Sequence, residues 1–108
     1  MSAPWDIRVA NQAEQDFFEI VRWSAANYGQ LKAVEYAETL SLAIGALAGG
    51  PEVLGVKCRE DIGKGILTIH VAREGRKGRH FVVFRVGGSN MIDVLRLLHD
   101  SMDLVRHV

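Results

Sequence analysis

The sequence predicts an α+β domain with the element order β-α-α-β-β-β, in which a helical hairpin packs on an antiparallel sheet. Apolar residues recur at three- and four-residue steps through much of the first half of the chain, which is the period of amphipathic helices. From residue 67 onward the period changes to two, and two Gly-containing turns divide the segment into three strands. A chain of 108 residues fits one domain, so the prediction is a single domain over residues 1–108.

The first strand and the first helix have clear local signals. Residues 5–9 alternate apolar and polar side chains, as in a half-buried strand. Asn11 is predicted to cap the helix that follows, with Glu14 reaching back in the manner of a capping box. The helix is expected to run to about Tyr28, and Gly29 to end it in a left-handed conformation.

The second helix follows almost at once. Its apolar stripe is formed by Ala33, Ala37, Leu40, Ile44 and Leu47. Gly49, Gly50 and Pro51 end it. Because the connection between the helices is so short, they are expected to form an antiparallel hairpin.

The second half of the chain predicts a meander of three strands. The predicted strands cover residues 67–71, 79–86 and 91–98, with turns at 73–78 and 87–90. Residues 81–84 are apolar on both faces, as in a central strand that is covered on both sides. The tail from residue 99 to 108 is expected to form a short helical turn or an ordered arm.

Charge is balanced over the whole chain but unevenly distributed. The formal net charge is zero, which argues against nonspecific nucleic-acid binding as the main role. Residues 57–85 carry eight cations and three anions, whereas residues 1–56 carry three cations and seven anions. Such a polarised surface suits an acidic or phosphate-bearing partner, and the alternative is a loop-rich segment with solvated cations.

Other features indicate a protein of a reducing compartment without a bound metal. Cys58 is the single cysteine, no secretory signal or membrane-spanning segment is visible, and a cytoplasmic location is expected. Cys58 and the four histidines show no close-spaced pair of the kind that zinc sites use. The glycines at 63 and 65 do not form a phosphate-binding loop. No cofactor is therefore expected.

The last third of the chain contains a series of short motifs. Arg79-His80 opens one strand, Phe84-Arg85 lies near its end, Arg96 and Leu98-His99 lie at the next strand's exit, and Met102-Asp103 and Arg106-His107 follow. In these residues the chain resembles the ParE toxins of the RelE/ParE superfamily. The resemblance extends more weakly to Ala33, Tyr36, Leu40, Leu47, Pro51 and Gly55. The chain departs from the family pattern at Gly65-Ile66-Leu67-Thr68, where an arginine is common, and at Phe84, where many relatives have tyrosine.

The resemblance implies a toxin of a type II toxin–antitoxin system, which a ParD-like antitoxin neutralises and which inhibits DNA gyrase by binding rather than by catalysis. A hetero-oligomer with the antitoxin is expected, with no membrane partner and no direct specific nucleic-acid binding. Helix one has apolar residues beyond one stripe, which suggests a second face for a partner. The residues predicted to bind the antitoxin are Phe18, Arg22, Trp23, Tyr36, Arg73, Arg76 and Lys77. Toxicity is assigned to Arg96, His99, Met102 and Arg106, where the family signature concentrates.

The alternative is a ribosome-dependent mRNA endonuclease of the RelE type. RNA cleavage through the 2′-hydroxyl needs a base, an acid and cations, for which Arg85 and His99 are the candidates. Such nucleases commonly use a tyrosine near the C-terminus, and no tyrosine follows residue 36. Arg85 and Arg96 are more simply predicted to form structural ion pairs, with Asp93 or Asp103 as partners, and His80 and His99 to make capping or backbone hydrogen bonds.

Overall fold

A computed structural model describes residues 3–102. Its helices are α1 (Asn11–Tyr28) and α2 (Gln30–Ala46), and a short 3₁₀ turn, Leu47–Gly49, follows α2. The strands are β1 (Asp6–Val9), β2 (Lys57–Cys58), β3 (Leu67–His70), β4 (His80–Gly88) and β5 (Met91–His99). The predicted α+β class and the helical hairpin on a sheet are confirmed.

The sheet has five strands in the order β1-β5-β4-β3-β2. The meander of β3, β4 and β5 is antiparallel, as predicted, and β4 lies at its centre. The sheet as a whole is mixed rather than antiparallel, because β1 pairs with β5 in parallel, from Asp6 opposite Met91 to Val9 opposite Val94. The two-residue strand β2 was not predicted, since two residues show no periodicity.

The ends of α1 differ in detail from the prediction. Asn11 is the first helical residue, Ala10 occupies the capping position, and no side chain caps the helix, so the predicted capping box is wrong. The reason is that the chain enters α1 directly from the sheet, where the backbone N–H of Ala10 donates to the carbonyl of Val94 at 2.9 Å. Gly29 ends α1 as predicted, with a φ of 92° that favours glycine.

The hydrophobic core has two parts, one on each face of the sheet. The larger part lies between the helices and the sheet and contains Leu40, Leu47, Ile69, Phe84 and Ile92. The smaller part lies on the other face, where Ile66, Val83 and Leu98 are buried and Ile62, Phe81 and Leu95 pack against them. Strand β4 is therefore covered on both faces, as its sequence predicts.

The outer edge of β5 is closed by a side chain rather than by a strand. Because β1 pairs only as far as Val94, the following residues of β5 have a strand on one side only, which is β4. Asp16 of α1 fills this position: its Oδ2 accepts a hydrogen bond from the backbone N–H of Leu97 at 3.0 Å and from Nε of Arg96 at 2.8 Å. The helix is thereby fixed to the strand by a carboxylate that is only 6% exposed.

The described part of the tail forms a turn after β5, in which the N–H of Met102 donates to the carbonyl of His99 at 3.0 Å. The rest of the predicted arm, 103–108, lies outside the described residues. No helix among residues 3–102 is long and apolar enough to cross a membrane.

Candidate functional site

A groove of about 1400 Å³ opens between the helical hairpin and one end of the sheet. Helices α1 and α2 form one wall, and the β3–β4 connection with the adjoining strand ends forms the other. The lining residues that the argument uses are Ile20, Trp23, Tyr28, Tyr36, Arg76, Lys77, Arg79, His80 and His99. A concave site of this size and shape suits a segment of a partner protein.

The helical wall of the groove is aromatic. Trp23 and Tyr28 contact each other edge to face with ring centroids 5.6 Å apart. They are 57% and 66% exposed, although large apolar rings are usually buried. Exposed aromatic side chains of this kind are enriched where proteins bind other proteins. This wall therefore has the composition of a binding surface.

The opposite wall carries positive charge. Arg76 is fixed to α2, where its guanidinium donates to Oγ1 of Thr39 at 3.1 Å and pairs with Glu38. Lys77 and Arg79 follow it along the same connection, and both are exposed. The groove thus places an aromatic wall opposite a cationic wall, an arrangement that suits an amphipathic segment with acidic residues.

Tyr36 and His80 meet at the floor of the groove. The Tyr36 hydroxyl lies 2.6 Å from Nδ1 of His80 and accepts a hydrogen bond from the backbone N–H of Arg79 at 3.0 Å. With the phenolic oxygen accepting from that N–H, the hydroxyl proton is available to Nδ1, an arrangement that fits a neutral His80. Burial, reinforced by His99, lowers the pKa of His80 to about 4, while burial raises the pKa of Tyr36.

A second set of polar contacts holds the end of β5 beside this pair. Asp100 accepts hydrogen bonds from Nε of Arg79 at 3.0 Å and lies 3.1 Å from Nε2 of His70. The contact with His70, together with Arg79, lowers the pKa of the Asp100 carboxyl. The ring of His99 lies 5.1 Å from that of His80, and its Nδ1 accepts the N–H of Ser101 at 3.1 Å. The floor is consequently a connected polar network.

The network has limited scope for acid–base chemistry at neutral pH. A neutral His80 has its Nδ1 occupied by Tyr36, and the raised pKa of Tyr36 keeps that hydroxyl protonated. Among residues 3–102, no group of three or more His, Cys, Asp or Glu side chains is placed to hold a metal ion.

The residues predicted to bind an antitoxin fall into two groups. Trp23, Tyr36, Arg76 and Lys77 all line the groove. The remaining three are not among its lining residues. Phe18 is 60% exposed and Arg22 is exposed on α1, and Arg73 donates to the carbonyl of Leu54 at 3.3 Å.

The residues predicted to carry toxicity are also dispersed. His99 lines the groove, whereas Arg96 lines a smaller pocket on the opposite face of the sheet. Met102 is 39% exposed in the turn after β5, and Arg106 lies outside the described residues. These side chains therefore do not form one cluster.

The two candidates for a nuclease are far apart. His99 pairs with His80 at one end of β4, and Arg85 pairs with Asp93 five residues further along the strand. At about 3.3 Å per residue the separation along β4 is roughly 17 Å. Arg85 also lines the pocket on the opposite face from the groove, so the two do not act on one bond.

Of the two carboxylates predicted to pair with Arg96, Asp93 is engaged elsewhere. The Nε of Arg96 pairs with Asp16 at 2.8 Å, and Asp93 instead pairs with Arg8 at 2.6 Å. Asp103 lies outside the described residues. His80 and His99 do stand at the start of β4 and the end of β5, and His99 accepts a backbone hydrogen bond as predicted.

Arg79 was singled out in the sequence as part of the family resemblance, but its pairing with Asp100 was not predicted. Sequence reasoning missed Asp16, which fixes α1 to β5, and Asp100, which holds the end of β5 beside the groove. Each is charged in a segment that also carries other charges, so composition does not single it out. One signal was available for Asp16, because it lies on the apolar side of the first helix, one residue before Phe17 and three after Ala13. A carboxylate on a core-facing stripe requires a buried partner.

Comparison with known proteins gives a consistent result. A sequence model of the family described as ParE toxin of type II toxin–antitoxin system, parDE, matches residues 7–104. A chain in the chromosomal ParDE toxin–antitoxin system from P. aeruginosa has a TM-score of 0.73 at 19% identity, covering 91% of this chain and 98% of that one.

A chain in the RelBE2 toxin–antitoxin complex from Mycobacterium tuberculosis has a TM-score of 0.59 at 19% identity, covering 92% of this chain and 94% of that one. Both likenesses show the same fold. No curated protein matches the sequence significantly.

Proposed function

Because the chain belongs to the family of ParE toxins of type II toxin–antitoxin systems, we propose that a ParD-like antitoxin neutralises it and that the released toxin inhibits DNA gyrase by binding. The observation that carries the proposal is the groove, with its exposed Trp23 opposite Arg76 and Lys77. Solved relatives of the same fold are chains of toxin–antitoxin complexes, which supports a hetero-oligomer with an antitoxin.

In this proposal an amphipathic segment of the antitoxin lies in the groove. Its apolar side packs on Trp23 and Tyr28, and its acidic residues face Lys77 and Arg79. An antitoxin segment that orders on binding gains a large interface while leaving the rest of that protein available. The two exposed rings are the expected hot spots, since tryptophan and tyrosine commonly dominate binding energy.

The test is a titration of toxin variants with a ParD-like antitoxin, followed by isothermal titration calorimetry. Trp23→Ala removes an exposed ring that contacts Tyr28 edge to face in the helical wall, so we expect the binding free energy to weaken by about 2 kcal/mol, or roughly thirtyfold in affinity. Leu42→Ala is the matched control, because Leu42 is 53% exposed on α2 but does not line the groove. Equal affinity for the Trp23→Ala variant and the control would remove the groove from the interface.

Phe18 and Arg22 give the second half of that test. Both were predicted to bind the antitoxin, and both lie on α1 outside the groove lining. If the interface is restricted to the groove, the antitoxin affinity of Phe18→Ala should equal that of the control. If the antitoxin wraps around α1, its affinity for this variant should fall. The same titration of Arg73→Ala tests the remaining predicted residue.

Inhibition of gyrase is tested with the purified enzyme in a supercoiling and cleavage-complex assay. We expect loss of supercoiling activity with the toxin and its restoration by the antitoxin. Met102→Ala tests the assignment of toxicity, because Met102 is exposed and its side chain has no role in the core. Arg96→Gln, His99→Ala and Arg106→Ala complete the series, with the unfolding free energy measured for Arg96→Gln because Arg96 is ion-paired to Asp16.

A second candidate function is ribosome-dependent mRNA cleavage. The observation that favours it is that Tyr36 lies in the groove with His80, His99 and Arg79. The fold thus brings a tyrosine from α2 next to these side chains, although it is distant from them in the sequence. Translation-dependent cleavage is measured beside the gyrase assay. Cleavage with unaffected gyrase, abolished by Tyr36→Phe or His99→Ala in a folded protein, would replace the gyrase proposal.

A further inference from the structure

A second pocket, of about 440 Å³, lies on the face of the sheet that the helices do not cover. Its lining comprises Ile62, Lys64, Ile66, Arg85, Leu95 and Arg96, together with Gly63. We call these residues the basic pocket. It is separate from the groove, and the two share no lining residue.

The basic pocket has an excess of positive charge. Lys64 and Arg85 are exposed, and within residues 3–102 no carboxylate oxygen lies within the 4.0 Å ion-pair distance of either side chain. Arg96 adds a third cation, and it forms an ion pair with Asp16 of α1 at the outer edge of β5. Among residues 3–102, no acidic residue lines the basic pocket.

The nearby carboxylates are already engaged by other groups. Asp93 is opposite Arg85 in the sheet, but it pairs with Arg8 at 2.6 Å. Asp61 in the adjoining loop accepts two hydrogen bonds from Arg59, at 3.0 and 2.9 Å. Glu60 is directed toward Cys58 and the backbone N–H of Gly65. Lys64 and Arg85 therefore make no ion pair within residues 3–102, and the nearby Asp93, which is bound by Arg8, compensates the charge of Arg85 only in part.

The apolar part of the pocket is aliphatic. Ile66 is buried and Ile62 and Leu95 pack against it, so the floor is a hydrophobic surface bordered by cations. An aromatic ring is not among the lining residues, which removes the stacking surface that proteins commonly offer to nucleobases. A free small anion would use the cations but not the aliphatic floor.

We propose that the basic pocket binds a segment of a partner protein in which an aliphatic side chain is flanked by carboxylates. The aliphatic side chain packs on Ile62, Ile66 and Leu95, and the carboxylates pair with Arg85 and Lys64. Arginine offers a carboxylate two parallel hydrogen bonds, so Arg85 is the principal contact. This surface goes beyond the proposed function: it does not depend on gyrase as the target, and it remains accessible when the groove is occupied.

The test uses the full chain, labelled with ¹⁵N, and a capped synthetic peptide of sequence Gly-Ser-Glu-Leu-Glu-Glu-Ser-Gly. We expect the amide resonances of residues 62–66, Arg85 and Leu95 to shift on titration. Arg85→Gln and Lys64→Gln each remove one exposed charge and are expected to weaken binding about tenfold and about threefold. Lys57→Gln is the matched control, because Lys57 is an exposed cation on β2 that lines neither the basic pocket nor the groove, and it is expected to leave the affinity unchanged.

Three further titrations separate the alternatives. The peptide with glutamine in place of each glutamate is expected to lose nearly all binding, and inorganic phosphate is expected to bind far more weakly than the acidic peptide. A single-stranded oligonucleotide that shifts the same resonances more strongly than the peptide would overturn the proposal in favour of nucleic acid. Equal binding of the glutamine peptide, no loss with Arg85→Gln, or shifts confined to Trp23 and Lys77 would also overturn it. None of these results bears on antitoxin affinity, which the Trp23→Ala titration measures separately.

Discussion

The phenolic oxygen of Tyr36 lies 2.6 Å from Nδ1 of His80 and 3.0 Å from the backbone nitrogen of Arg79. One side chain of α2 thus fixes the helical hairpin to the first residue of the central strand. These two contacts form the floor of the groove, and they bridge positions that are more than forty residues apart in the sequence. The orientation of the hairpin over the sheet end depends on them.

Replacing Tyr36 by phenylalanine is expected to destabilise the fold by about 1.5 kcal/mol, because Nδ1 of His80 and the N–H of Arg79 lose their common partner. The free energy of unfolding in urea measures the effect. Tyr28→Phe is the matched control, since Tyr28 is 66% exposed and the loss of its hydroxyl should leave stability nearly unchanged. Equal stability of both variants would mean that water replaces the hydroxyl of Tyr36 without loss.

Asp16→Asn is expected to cost about 3 kcal/mol of stability, because it removes the charge of a buried ion pair and weakens the cap on β5. The carboxylate is 6% exposed and accepts hydrogen bonds from both Arg96 and Leu97. Glu14→Gln on the same helix is the exposed control. A double variant, Asp16→Asn with Arg96→Gln, is expected to be less destabilised than the sum of the single variants, since the two share one interaction. Simple additivity would argue against the ion pair.

Stability is expected to decline as the pH falls from 6.5 to 4. The folded protein holds His80 neutral, with a pKa of about 4, whereas in the unfolded chain the same side chain takes up a proton near pH 6.5. The unfolded state therefore binds more protons in this window, and acid favours it. The lowered pKa of Asp100 acts at lower pH, since its stabilisation is lost as that carboxyl is protonated.

Titration of the His80 ring resonances by NMR measures this pKa directly, and urea midpoints at pH 7 and 5 measure its effect. His80→Gln is expected to reduce the difference between the two midpoints, because glutamine does not titrate. A midpoint near 6.5 for the His80 ring would contradict the buried, neutral state described for it.

Gly87→Ala is expected to loosen the connection between the first and last strands. A Cβ at this position would collide with the carboxylate of Asp93, which is held by Arg8 of β1. The carboxylate has to move, and the loss is expected to be about 1 kcal/mol. In an Arg8→Ala background the same substitution should have a smaller effect, because no ion pair remains to be broken. If Gly87→Ala reduced the free energy of unfolding equally in both backgrounds, its effect would not come from disturbing the ion pair between Asp93 and Arg8.

The local structure of this chain was predictable because its signals lie within a few residues of one another. Gly29 separates two apolar stripes of helical period, and the alternation from residue 67 onward marks β3 before any partner is known. The hairpin turn was placed correctly but made too long, since only Ser89 and Asn90 lie outside the strands and Asn90 supplies the positive φ.

The site was less predictable, because its contacts join distant parts of the chain. Asp16 and Arg96 are 80 residues apart, and several other carboxylates were equally plausible partners from the sequence. The parallel pairing of β1 with β5 was missed for a related reason: alternation identifies a strand but not its neighbour or its direction. The exposure of Trp23, by contrast, could be predicted, because its position does not belong to the core-facing stripe of α1.

The parallel pairing of β1 with β5 also bears on how the protein is made. Strand β1 is synthesised before β5, so it cannot pair until β5 has been made. The core-facing residues of α1 and α2 likewise have no sheet to pack against until β3 to β5 have been made. Contacts of such high sequence separation form slowly, and an uncovered apolar surface attracts other chains in the meantime. A nascent chain that has emerged only as far as α2 therefore has neither the groove nor the basic pocket, because both require residues from the later strands.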